Sequence, residues 1–376
     1  MKEVAIAYAA ACTGIFLIVL ILWEGFETII LPRRVLRRVR LTRLFYRSTW
    51  FPWSRFVNAV FTGQRLETFL SFYGPLSLLL LLTVWAGTLV LGFGLLYWAV
   101  GSGAGPGAVA VPFTTDLYLS GTTFFTLGLG DVQPLTPLAR LLTVIEAGMG
   151  FGFLALLIAY LPGMNQSFSR REVTISMLDA RAGSPSTALE MLRGHAHEKG
   201  LEELDRLFFE WEHWAAELLE SHLSYPVLAY YRSQHDNQSW LGALTTILDT
   251  SALVLTSIKD ACPRQAELTF AMARHAVVDL AAVFNLPPRK PERDRLPTSE
   301  LAHLTSILKE EGLVPEEGPE AEHHLKTLRA TYEPYVSSLA TFFCFSLPPW
   351  LSAHEQPADW QTSPWGKGPA FKNHRL

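Results

Sequence analysis

The chain reads as an all-α membrane protein with three transmembrane helices, a short re-entrant helix and loop between the second and third, and an α-helical cytoplasmic domain. Three observations predict this. Apolar residues segregate into the runs Val4–Trp23, Leu76–Val100 and Leu138–Leu161, each near the roughly 20 residues that a helix needs to cross a bilayer core of about 30 Å. Between the last two runs, Phe113–Phe125 is helix-forming but too short to cross at about 1.5 Å per residue. Beyond Gln166 the apolar residues recur at helical spacing, and strand signals are scarce. The 49% hydrophobic content is ordinary for a soluble protein, so segregation rather than the average decides the class.

In chain order, the organisation expected is an N-terminal anchor over 1–31, a basic juxtamembrane and interfacial segment over 32–74, a central membrane domain over 75–163, a helical cytoplasmic domain over 164–345 and a disordered tail over 346–376. The first run could be a signal peptide, but its charged flank follows the apolar stretch and no small-residue cleavage site comes after it, so a retained anchor is expected. Arg33, Arg34, Arg37, Arg38, Arg40, Arg43 and Arg47 come next. Every third residue from Arg34 to Arg43 is arginine, the spacing of a voltage sensor. The run is crowded by further arginines and lacks the apolar residues needed to span, and no three-helix bundle precedes it. A basic helix on anionic lipid head groups, at about 1 kcal/mol per basic residue, is the better reading. Phe56–Tyr73 would continue it along the interface.

Orientation follows from the arginines after the first run and from Arg170 and Arg171 after the third, because Lys- and Arg-rich flanks stay inside. The protein is therefore expected in the cell membrane as a multi-pass chain with its N-terminus outside and its C-terminal domain cytoplasmic. Gly101–Val111 would form an outer turret. Up to Pro162 the chain carries 11 basic and 7 acidic residues, and 20 and 28 beyond it, a balance that points away from nucleic acid for the soluble half. Cys12, Cys262 and Cys344 are far apart and imply neither a disulfide nor a cysteine metal site.

The most specific motif is Thr126-Leu127-Gly128-Leu129-Gly130-Asp131, directly after the short helix. Backbone carbonyls that replace the water shell of a cation must all turn to one side of an extended strand. That forces alternate residues toward left-handed dihedrals, which glycine adopts cheaply. With its flanks, this motif resembles the selectivity filter of the potassium-channel pore-domain family, a likeness that covers roughly Leu76–Arg171. The resemblance implies K+ held by oxygens of Thr126, Leu127, Gly128 and Leu129, with Gly130 completing the row and Asp131 supporting the outer mouth. It implies K+ as the permeant ion and no other cofactor. One filter loop per chain and no internal repeat imply a homotetramer.

Two positions depart from the family pattern. Leu129 stands where typical filters carry Tyr or Phe, and Phe125 where they usually carry a second threonine. Poorly selective cation conduction and a non-conducting sensor or scaffold that reuses the pore fold are the competing readings. In the third run, Gly150 matches the inner-helix hinge glycine, or it serves only to let helices approach closely. Leu154, Ile158 and Pro162 are candidates for an apolar inner gate, and Pro162 is expected to bend or end the helix. Glu146 is a carboxylate within an apolar span and needs a partner. Counted from Asp131 it falls level with the back of the pore helix, which favours hydrogen bonding that braces the pore helix or filter. A cation-attracting cavity charge and a neutral acid facing lipid are the alternatives.

The cytoplasmic half is expected to run as helices over Arg170–Ala182, Thr187–Lys199 with a stop at Gly200, Leu201–His222, Trp240–Ile258, Pro263–Phe284, Thr298–Glu311 and Ala321–Phe345. Leu286–Pro297 reads as a linker or long loop. His195 and His197 do not share a helical face, and Trp211 and Trp214 read as core anchors rather than a ligand cage. No Ser/His/Asp, Cys/His, paired-carboxylate or Gly-rich nucleotide pattern has a defensible spacing, so no enzyme is expected. A cytoplasmic ligand of unknown identity, acting on the third span through Asn165–Ala180, is the gating expectation.

Overall fold

Helices account for the regular structure because apolar runs in lipid must satisfy every backbone group internally, and because the C-terminal half carries its apolar residues in 3.6-residue stripes. The computed structural model describes residues 2–31, 40–101, 112–197, 200–234, 237–258, 263–313, 315 and 318–351. In order they form α1 (Lys2–Gly25) with a wide π turn at Phe26–Ile30, α2 (Leu41–Val60), α3 (Gln64–Ser71), α4 (Tyr73–Val100), α5 (Phe113–Phe124) and α6 (Pro137–Ala182). There follow α7 (Ala188–Gly194), α8 (Gly200–Ser224), a 3-10 turn at Pro226–Tyr230, α9 (Trp240–Ser257), α10 (Pro263–Val283), α11 (Thr298–Glu310), α12 (Pro319–Ala330) and α13 (Glu333–Phe343). Among the described residues the nearest thing to a sheet is one isolated bridge, Ile258 to Pro315. The fold is all-α, and the chain is a membrane protein with long apolar helices.

Two units divide the chain: Met1–Arg55 with Phe72–Asn165, and Phe56–Ser71 with Gln166–Leu376. In the first, α1 lies against α4 where two glycines meet. A methyl on Gly14 would sit 2.6 Å from the Gly92 carbonyl oxygen, and one on Gly92 would sit 2.8 Å from Cγ1 of Ile18. Small residues allow this approach, which in lipid is driven by close packing rather than by the hydrophobic effect. Apolar side chains on α1, α4 and α6, among them Phe16, Val19, Leu79, Leu80, Val144 and Phe151, remain exposed, as a bilayer-facing surface requires. Glu24 is fully buried at the end of α1, where its carboxylate accepts from the Leu41 and Thr42 amides at 3.0 and 3.2 Å and from the Thr42 hydroxyl at 2.9 Å. It thereby satisfies the free N–H groups at the start of α2.

The basic segment is only partly within the described residues: Arg33, Arg34, Arg37 and Arg38 lie outside them. Arg40, expected at lipid head groups, donates to the Thr28 hydroxyl at 3.2 Å, and Arg43 is half-buried. Phe56–Ser71, expected along the interface, groups with the helical unit. There Glu67 supplies the countercharge, at 3.4 Å, to the nearly buried Arg232. The turret residues 102–111 lie outside the described set.

In the second unit α8, α9 and α10 pack together. The central helix α9 is long and apolar enough by composition to cross a membrane, yet 89% of it is enclosed by the unit. A helix apolar on every side is buried either by lipid or by protein. Here protein buries it: Thr245, Thr250, Ser251 and Thr256 bond back to carbonyls four residues earlier. Asp249 on α9 accepts from Arg295 at 2.5 Å and from the Tyr332 hydroxyl at 2.6 Å. Burial opposes the charge of Arg295, but Asp249 beside it holds the guanidinium above its ordinary pKa.

Four boundaries differ from the sequence expectation, the first being that of α7, which ends at Gly194 rather than at Lys199. Gly200 begins α8 instead of stopping the helix before it, because a side chain there would collide with the His195 carbonyl. Ala321–Phe345 is two helices that break at Thr331–Tyr332, where Arg329 pairs with Glu333 at 3.1 Å and Pro334 enters the first turn of α13. Leu286–Pro297 is a long loop, as expected, and it delivers Arg295 to Asp249. The segment from Ser346 to Leu351, expected in a disordered tail, packs through the fully buried Trp350, whose ring lies 5.8 and 5.4 Å from the Arg295 and Arg329 guanidinium carbons.

Candidate functional site

Asp116 lies in the first turn of α5, where an acidic residue suits the positive end of a helix, and the twelve residues end at Phe124. Its carbonyl end carries the chain into the motif: Thr122 O accepts from the Leu127 amide at 2.8 Å and the Gly128 amide at 3.3 Å, and Thr123 O from the Thr126 amide at 3.0 Å. Beyond this hook the backbone alternates. Thr126, Gly128 and Gly130 have φ of 57°, 56° and 79°, whereas Leu127 and Leu129 between them are not left-handed. For Thr126, a non-glycine residue, this conformation is strained and needs the hook beneath it to persist. The five residues are exposed within the single chain, with Leu127 at 61% and Leu129 at 63%. The Tyr118 hydroxyl on α5 donates to Asp131 at 2.9 Å, and Gln133 Nε2 donates to the Gly130 carbonyl at 3.2 Å.

Glu146 is fully buried and tied to two neighbouring helices. Tyr97 of α4 donates its hydroxyl to Oε2 at 2.7 Å, and Ser120 of α5 donates to Oε1. Tyr97 also bonds Thr143 on α6 at 3.1 Å. One carboxyl group thus joins α4, α5 and α6 behind the loop. Its side chain faces neither open space nor lipid.

Gly150 meets the end of α5. A methyl there would collide with the Phe124 carbonyl oxygen and sit 2.8 Å from the carbonyl carbon, whereas Gly148 and Gly152 have nothing within 4 Å. Close approach therefore accounts for this glycine. Leu154, Ile158 and Pro162 are exposed and recur every fourth residue along one face of α6. The helix does not end at Pro162 but runs on to Ala182, as apolar membrane helices tolerate proline.

Tyr97, Tyr118 and Ser120 escaped the sequence reading. For Tyr97 the signal available was its polar tip in a largely apolar run, since a hydroxyl in such a place needs a partner, whereas Tyr118 and Ser120 sit among the threonines and Asp116 of α5, where nothing singles them out.

Residues 78–166 match a family described as ion channel. The likeness is confined to this stretch, which is under half of the chain. It takes in α4 from its second turn, α5, the loop and the membrane part of α6. The chain is also similar to the uncharacterized membrane protein YdjJ of Bacillus subtilis (strain 168), at 28% identity over 202 residues, which is 52% of this chain and 56% of the relative. The chain thus spans about half the length of that curated relative. No solved structure matches the chain.

Proposed function

We propose that the protein is a subunit of a homotetrameric, potassium-selective channel whose filter is the carbonyl row from Thr126 to Gly130. The observation that supports this reading is the alternation of left-handed φ at Thr126, Gly128 and Gly130 directly after a twelve-residue helix, in the stretch that matches the ion-channel family. Alternation of this kind turns successive carbonyls to one side, as coordination of a dehydrated cation demands. One strand offers oxygens from one direction only, so four chains around an axis complete the cage and cover the exposed loop. Asp131 and Glu146 support the filter, Leu154, Ile158 and Pro162 line the inner pathway, and the helical unit acts on α6 to open and close it. The positive charge of Arg33, Arg34, Arg37 and Arg38 favours anionic head groups on the cytoplasmic side.

Purified protein in potassium-loaded liposomes tests the proposal. Wild type should release K+ faster than Na+, and Gly128→Ala should abolish the flux, because an L-residue at φ 56° costs about 1–2 kcal/mol per chain. That cost lowers the population of the conducting filter roughly 5- to 30-fold in each subunit. Equal flux in both proteins, in tetramers of unchanged size, refutes the carbonyl filter, and a wild type without flux refutes conduction.

A further inference from the structure

Arg47 and Arg55 on α2 carry charge that the protein itself does not answer. From Leu41 to Val60 the helix holds three arginines and no carboxylate. Its inward face packs through Tyr46 and Trp50, which are buried. Leu44, Arg47, Phe51 and Arg55 recur at steps of three and four residues, share the outward face and are exposed. Arg55 lays its guanidinium 4.3 Å from the centre of the Phe51 ring, one turn back toward Arg47. Two cations and one aromatic ring thus share about two turns of helix. Among the described residues neither arginine has a carboxylate within ion-pair distance.

Bonds to two spans set the height of this face. The start of α2 is held by Glu24 in the last turn of α1, and its middle by Tyr73, the first residue of α4. The Tyr73 hydroxyl donates to the Tyr46 carbonyl at 3.0 Å and lies 2.8 Å from the Thr49 hydroxyl, and its ring centre is 4.7 Å from that of Trp50. Both spans are long and apolar enough to cross a membrane, and Phe26, Ile30, Leu76 and Leu79 at these two ends are exposed. A helix tied to both ends runs where the spans leave the hydrocarbon, beside the head groups. A second copy inserted the same way brings no countercharge to that level. Of the six carboxylates in the membrane unit, Glu24, Glu27, Asp116 and Glu146 are buried in their own chain, Glu3 lies in the first turn of α1, at its other end, and Asp131 lies beyond α5. Phosphate oxygens supply the charge, and acyl chains take the apolar side chains beside it. We propose that the outward face of α2 docks on anionic phospholipid, with Arg47 and Arg55 on head-group phosphate and Leu44 and Phe51 among the first methylenes. This deepens the head-group reading of the basic segment and rests on it only for the side of the membrane concerned. Tyr73 carries the hold on α2 to the start of α4.

The test titrates the full chain in non-ionic detergent with dioctanoyl phosphatidylglycerol and reads the unfolding midpoint. Dioctanoyl phosphatidylcholine controls for net charge and sn-glycerol 3-phosphate for the acyl chains. The background carries Arg33→Gln, Arg34→Gln, Arg37→Gln and Arg38→Gln, which removes the neighbouring positive charge. Phosphatidylglycerol should bind saturably there and raise the midpoint, and the two controls should not. Arg47→Gln and Arg55→Gln should each weaken binding roughly fivefold and together roughly thirtyfold, the worth of one and two basic residues at a lipid surface. Arg264→Gln, on α10, should leave it unchanged. Undiminished binding in the Arg47→Gln, Arg55→Gln double variant overturns the inference. So does phosphatidylcholine binding as tightly as phosphatidylglycerol, or glycerol phosphate displacing the lipid. If the double variant fails to fold, the single variants decide. No saturable binding in this background also sinks the α2 surface and leaves the neighbouring four arginines as the lipid contact, whereas equal affinity in wild type and background sinks that contact and leaves the α2 surface standing.

Discussion

Replacing Gly150 by alanine separates the contact seen in the structure from a hinge. The added methyl would meet the Phe124 carbonyl oxygen and lie 2.8 Å from its carbon and 3.1 Å from its Cα. Carbon atoms ordinarily rest about 3.5–4.0 Å apart, so α6 must retreat from the end of α5 by roughly 1 Å at this level. The obstacle is backbone and no rotamer change relieves it. Overpacking of this kind costs about 1–3 kcal/mol per chain. Alanine at Gly148 and Gly152 meets nothing within 4 Å in the chain and gains up to about 1 kcal/mol of helix propensity. The same propensity gain applies at Gly150, so the difference between Gly150→Ala and the other two isolates the contact at about 1–3 kcal/mol. Thermal unfolding in detergent measures it, and liposome flux reports whether the loop above Phe124 has moved. Equal unfolding midpoints for the three variants refute the packing argument. A change in gating at Gly150 without a loss of stability would restore the hinge.

Other consequences follow from buried polar groups. Glu146→Leu removes the acceptor for Tyr97 and Ser120 and should cost roughly 1–3 kcal/mol while loosening the filter, read as a smaller K+/Na+ difference in reversal potential; an unchanged reversal potential would count against the brace. Burial, with Arg171 close by, pushes the His222 imidazole down to about 3. Between that pH and about 6.5 the unfolded chain binds a proton there that the folded chain does not, so stability is fully present above the upper limit and falls as pH drops. The loss is on the order of 5 kcal/mol over the window, and His222→Gln should flatten the pH dependence of unfolding followed by tryptophan fluorescence; parallel curves would exclude His222 as its source. Arg295→Ala strands Asp249 inside the helical unit and should cost about 3–5 kcal/mol in urea unfolding, part of which the double change with Asp249→Leu recovers. Additive losses in that double variant would show that the two side chains act independently.

Much of the membrane part was legible because lipid imposes few solutions. The runs ending at Trp23, Val100 and Leu161 can only be helices if they enter a bilayer, and a 12-residue helix between two of them can only be re-entrant. The two glycines at 128 and 130 announced left-handed backbone, but Thr126 did not, since nothing in a threonine reveals that Thr122 will hook the chain beneath it. In the C-terminal half the helical stripe of Leu204, Leu207, Phe208, Trp211, Ala215, Leu218 and Leu219 was readable from spacing alone. The burial of Trp350 was not, because it depends on Arg295 and Arg329, which arrive from segments far away in sequence, and the break at Thr331 had only a local cue in Pro334.

The sequence by itself determined the helical class, the segregation of long apolar runs from amphipathic helices and the place of the glycine-bearing loop, because hydropathy and backbone freedom are local properties of the residues that carry them. Only the tertiary structure decided that Glu146 ties three helices together, that Gly150 makes room for the Phe124 carbonyl, and that α9 is enclosed by protein. Each of those outcomes depends on which distant atoms come within a few ångströms, and the order of residues along a chain does not specify that distance.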